Sequence, residues 1–80
     1  MDTLEQAIAW GMEQGYCDDA FAAEYRAKAD DPSAVRQFIM VMALYAKTRY
    51  EPTVSGRQEG RLMRADIRSG VLPAFFEGYV

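Results

Sequence analysis

Asp30-Asp31-Pro32-Ser33-Ala34-Val35-Arg36-Gln37-Phe38-Ile39-Met40-Val41-Met42-Ala43-Leu44-Tyr45-Ala46 joins a helix start to an apolar pattern. The aspartates stand where a cap accepts from backbone amides, and the proline takes the first helical position, where its missing N–H removes no bond. Val35, Phe38, Ile39, Met42 and Ala46 then recur along one face, while Met40 and Leu44 point to nearly the opposite side. The spacing predicts a helix from 32 to about 49, apolar on both sides and therefore central. Glu51-Pro52 ends it, because the residue before a proline is pushed out of the helical region. Thr53 to Gly56 reads as a loop.

Toward the N-terminus, Thr3-Leu4-Glu5-Gln6 has the form of a capping box, and Leu4, Ile8, Gly11 and Met12 share a face behind it. A helix over 4–14 follows, with Gly15 suited to the left-handed residue that closes it. Asp18-Asp19 opens a second helix over 19–29. Toward the C-terminus, a fourth helix starts near Ser55 to Arg57 and stops at Ser69-Gly70, with Met63 and Ile67 on one flank and Leu62 on the other. Gly60 weakens its interior by about 1 kcal/mol relative to alanine. The aromatic tail, residues 71–80, contains a one-turn helix beginning at Pro73. Period-two alternation is nearly missing. The fold class expected is all-α: a small bundle of about four helices with a short aromatic C-terminal helix or tail, in a single domain spanning 1–80.

Half of the 80 residues are apolar and 26% are charged, which is the balance of a folded domain, far from that of a disordered chain. The longest apolar run is nine residues, Phe38 to Ala46, well short of the roughly 20 that a membrane span needs. The first residues lack the basic region and apolar stretch of a secretory signal. Cys17 is the single cysteine, so no internal disulfide forms and a cytoplasmic setting is expected.

Histidine is absent, which removes the commonest general base and the commonest metal ligand. Cys17 is the only candidate nucleophile of note; a helix start behind it favours thiolate, but Asp18 and Asp19 oppose that and no base accompanies it. A lone cysteine provides no zinc set, and Asp30-Asp31 does not follow the alternating oxygen ligands of a calcium loop. Glu13 and Glu24 have no visible partner for acid and base work. No enzymatic activity, metal or cofactor is expected. Binding is what remains.

The net charge of −3 is unevenly spread: residues 1–31 hold eight acids and two bases, residues 32–80 four acids and seven bases. The acids invite comparison with a phosphate backbone, but Asp2, Glu5, Asp18, Asp19, Asp30 and Asp31 all sit at helix starts, where carboxylates cap amides and complement the dipole. Arg26, Lys28, Lys47 and Arg49 likewise finish helices. The row Arg57, Arg61, Arg64 and Arg68 resists this account. At 100° per residue the four fall within roughly 60° of arc, with no acid among them. Like charges so spaced weaken a helix by about 0.2–0.5 kcal/mol per pair, so an anionic partner is expected opposite them unless the face is simply solvated.

The reading is a non-enzymatic protein-binding module. Arg57, Arg61, Arg64 and Arg68 supply charged contacts, with Trp10, Phe75 and Phe76 as apolar anchors; Trp10 lies off the centre of its helix's apolar stripe and is expected to be partly exposed. In its most concrete form this is an inhibitor or adaptor of a phage or other mobile element, sterically blocking a nucleic-acid-handling complex in the manner of an anti-CRISPR protein. One alternative is a small DNA- or RNA-binding domain using helix 57–68, although a pI near 4.8 argues against direct nucleic-acid binding. Another is a homo-oligomer in which the basic row of one copy meets the acidic helix starts of the next.

Overall fold

The computed structural model describes residues 2–50 and 56–80. These form four helices, α1 (Thr3–Gln14), α2 (Asp19–Arg26), α3 (Pro32–Lys47) and α4 (Gly56–Ser69), followed by a one-turn 3-10 helix, Ala74–Phe76. The fold is all-α, and no strand occurs among the described residues. The chain divides into two compact units, Met1–Met42 and Ala43–Val80.

In the first unit, the helix starts are held by aspartates. The Asp2 carboxylate accepts from the Glu5 amide at 2.8 Å, Asp18 from Phe21 at 2.8 Å and Asp31 from Ser33 at 2.9 Å. The cap of α1 is therefore Asp2, one residue before the expected Thr3, because the aspartate carboxylate reaches the third amide and Thr3 is already helical. At the other end, Gly15 is left-handed (φ 83°). Its amide donates to the Met12 carbonyl at 3.2 Å and that of Tyr16 to the Gly11 carbonyl at 2.8 Å, a Schellman closure. The hydrophobic contact that accompanies such closures is Trp10 against Tyr16, ring centroids 5.7 Å apart.

Two helices stop earlier than their periodicity predicts. After Arg26, the amides of Lys28, Ala29 and Asp31 reach back three residues to Tyr25, Arg26 and Lys28. After Lys47, those of Thr48, Arg49 and Tyr50 do the same to Tyr45, Ala46 and Lys47. Each helix tightens into turns as it ends, as helix termini commonly do. The stop at Glu51-Pro52 and the loop at Thr53 to Ser55 lie outside the described residues, and Gly56 belongs to α4.

The core of the first unit gathers around Phe38, fully buried, with the rings of Tyr25 at 5.0 Å and Phe21 at 5.7 Å. Leu4, Ala7, Ile8, Trp10, Ala22, Ile39 and Met42 are buried in the same unit. Gly11 allows a close approach: a Cβ there would lie 2.7 Å from Met42 Sδ and 3.0 Å from Cys17 Cβ. The expectation that α3 is covered on both sides is corrected. Its Phe38, Ile39, Met42 and Ala46 face is buried, but Met40 is 54% and Leu44 57% exposed.

In the second unit Met63, Leu72 and Phe76 are fully enclosed. The turn after α4 repeats the logic of the turn after α1. Gly70 is left-handed (φ 85°), and the Leu72 amide donates to the Asp66 carbonyl at 3.1 Å, just as that of Cys17 does to Gly11 at 3.2 Å. Both closures draw an apolar side chain, Leu72 or Cys17, into the interior.

Candidate functional site

The sequence of α4 separates its residues by face. Met63 is buried and Ile67 half-buried on one side, while Arg57, Arg61, Arg64 and Arg68 are all exposed on another. Among the described residues, no ion pair involves any of the four; the two pairs present join Arg26 to Glu5 and Lys28 to Glu24. The acids of α4 itself are turned elsewhere: Glu59 and Asp66 are half-buried, and the Asp66 carboxylate accepts the Tyr50 hydroxyl. The row is thus a continuous cationic edge that its own helix leaves uncompensated.

Gly60 does not break the helix. The Arg64 guanidinium lies back over it, with Nη1 3.4 Å and Nη2 3.6 Å from where a glycine-to-alanine Cβ would stand. That spacing is ordinary van der Waals contact, so a methyl group would fit beneath the guanidinium.

Beside the row, α4 packs on the segment that follows it. Gly78 (φ 90°) turns the chain, and the Tyr79 amide donates to the Phe76 carbonyl at 3.0 Å. An open pocket of about 210 Å3 results, lined by Arg64, Ile67 and Arg68 of α4 and by Ala74, Glu77 and Val80. Two arginines of the row therefore line it together with the apolar Ile67, Ala74 and Val80.

The aromatic candidates separate. Trp10 is only 9% exposed, which corrects the expected partial exposure: Tyr16, carried back by the closure after α1, covers its ring. Phe76 is fully buried and Phe75 half-buried, the rings 4.6 Å apart. Trp10 and Phe76 are thus core side chains here. The sequence reading missed the pocket, since nothing in the tail's composition signals where an irregular backbone will turn.

Chemically reactive groups are few. Burial pushes the Cys17 thiol up, with Asp18 adding to the effect, so thiolate is disfavoured; its Sγ donates to the Asp18 carbonyl at 3.5 Å. No group of three or more cysteine or carboxylate ligands able to hold a metal ion occurs among the described residues. No helix among them is long and apolar enough to cross a membrane. Ser55, at the expected start of the fourth helix, lies outside the described residues.

Two polar contacts brace the scaffold. Arg26 holds Glu5 through paired bonds, Nε to Oε2 at 2.9 Å and Nη2 to Oε1 at 2.8 Å, linking the end of α2 to the start of α1. The hydrogen bond from Arg26 holds the Glu5 carboxyl below its ordinary range, so this contact weakens as acid protonates it. In the second unit, burial and the hydrogen bond to Asp66 push the Tyr50 phenol up to about 12. Because the folded value lies above the ordinary value of 10, the stabilisation is whole below pH 10 and is lost as pH rises toward 12. Tyr50→Phe is expected to lower stability by about 1 kcal/mol at neutral pH. In urea unfolding, the gap to the wild type should shrink above pH 10; a gap unchanged with pH would dismiss the Tyr50–Asp66 bond as its source.

Compared with models of known protein families, with curated proteins and with solved structures, the chain matches none.

Proposed function

We propose that the chain is a non-enzymatic, stoichiometric protein-binding module whose charged contact surface is the arginine row of α4. The observation that carries this reading is four exposed guanidinium groups in one row with no ion pair to any described residue. Like charges three and four apart destabilise a helix, and nothing on α4 offsets them. An external anionic surface does. Arginine suits the task, since its planar fork meets carboxylates in paired bonds and it is enriched among the residues that dominate interfaces. The mechanism is occlusion of the partner without turnover.

In its most specific form the module is an inhibitor or adaptor of a phage or other mobile element, acting in the cytoplasm on a nucleic-acid-handling complex in the manner of an anti-CRISPR protein. A net charge of −3 and the lack of histidine support that class. Capture of a protein by the wild type and its loss with an Arg61→Glu, Arg64→Glu double variant tests the surface.

The alternatives make separate predictions. A nucleic-acid-binding domain shifts labelled DNA or RNA at low salt, with affinity falling steeply as salt is added. A charge-paired homo-oligomer sediments above the monomer mass and dissociates in high salt. On the protein-binding reading, no probe shifts and the mass is monomeric at every salt concentration.

A further inference from the structure

We infer that the pocket between α4 and the segment after it receives a bulky apolar side chain from an acidic segment of a protein partner, whose flanking carboxylates meet Arg64 and Arg68. The inference rests on the arginine row being a protein-binding surface and adds what the row recognises. The pocket holds about 210 Å3. A cavity of about 150 Å3 accepts benzene, so the space suits one large apolar side chain. Ile67, Ala74 and Val80 contribute apolar surface to the lining. Arg64 and Arg68, one helical turn apart on α4, share the lining, and neither is in an ion pair with a described residue. An occupant that is apolar at its tip and anionic on its flanks satisfies both features.

Two details favour a peptide over a nucleic acid. Glu77 lies in the same lining, and a peptide can offer it backbone N–H donors, which a phosphate chain lacks. No aromatic ring contributes to the lining, so a base finds no stacking surface.

The test is an NMR titration of the full chain with the blocked peptide Gly-Glu-Asp-Leu-Glu-Asp-Gly, with the same peptide carrying serine for leucine, and with oligo-dT. Saturable shifts are expected at Arg64, Ile67, Ala74 and Gly78 with the leucine peptide, about ten-fold or more weaker binding with the serine peptide, and a similar loss with Ala74→Phe. Ala74 is exposed, so phenylalanine there fills the pocket without entering the core. Equal binding of both peptides, with shifts confined to residues 57–68, would overturn the pocket inference and leave the arginine row standing as a charged surface. No response to either peptide overturns the inference as well. Tighter binding of oligo-dT than of the leucine peptide overturns both, in favour of nucleic acid.

Discussion

Phe38→Ala is expected to lower stability by about 3–5 kcal/mol, whereas Leu44→Ala changes it by less than about 0.5 kcal/mol. Both residues lie on α3, and from their sequence positions alone each belongs to an apolar face. Phe38 is fully buried and packs edge-on against Tyr25 and at a tilt against Phe21, so truncation removes two ring contacts and leaves a cavity. Leu44 is 57% exposed and gives up little. A chain of this length commands about 4–12 kcal/mol in all, so Phe38→Ala leaves it marginally folded or unfolded at room temperature. Urea midpoints of the two variants decide the matter. A loss at Leu44 comparable to that at Phe38 would mean that the second face of α3 is covered after all.

Gly11→Ala should destabilise by about 1–3 kcal/mol, against the usual direction. In an exposed helix the same change is favourable by about 1 kcal/mol, because alanine has less backbone freedom to lose. Two buried neighbours reverse the sign here. The new methyl would stand 2.7 Å from Met42 Sδ and 3.0 Å from Cys17 Cβ, and Met42 is wholly enclosed while Cys17 is held by the turn after α1. Gly60→Ala provides the contrast, since the nearest atoms met are at the free end of Arg64, which can swing into solvent. That change is expected to stabilise by about 0.5–1 kcal/mol. Thermal unfolding of the pair measures both; a gain at Gly11 would show that Met42 repacks freely and that the close approach is unimportant.

The contrast between these residues also explains how far the sequence could be read. Helix starts were legible because a carboxylate cap and a proline at the first position act through bonds only a few residues long, as Asp18, Asp31 and Pro32 do. Helix ends at Gly15 and Gly70 were legible for the same reason. Without a glycine, at 27–30 and 48–50, apolar periodicity ran past the point where the hydrogen bonds shorten to three residues. Trp10 was misplaced because a helix's own stripe does not register a ring folded back from the following loop, here Tyr16. For Met40 and Leu44, a second apolar face in sequence says nothing of whether another element covers it. The arginine row was fully legible as a spacing, and its exposure followed from the apolar flank of Met63 and Ile67. The adjoining pocket was not, since it depends on a positive φ at Gly78 and on where η1, the Ala74–Phe76 turn, returns to α4.

Chemistry and charge converge on one surface. The cysteine is buried with its thiolate disfavoured, and one carboxylate at the start of each of α1, α2 and α3, from Asp2, Asp18 and Asp31, is engaged as a cap. The arginines of α4 are in no ion pair with a described residue. The account stands or falls on whether that row touches another protein.

The direct measurement is a pull-down from native host lysate, with and without nuclease, comparing the wild type with the Arg61→Glu, Arg64→Glu variant after circular dichroism has verified its helicity. Both positions are exposed, so the variant is expected to fold. The account predicts a specific protein, retained despite nuclease and lost with the variant. Capture that survives the double charge reversal, or that vanishes when nucleic acid is digested, would contradict it.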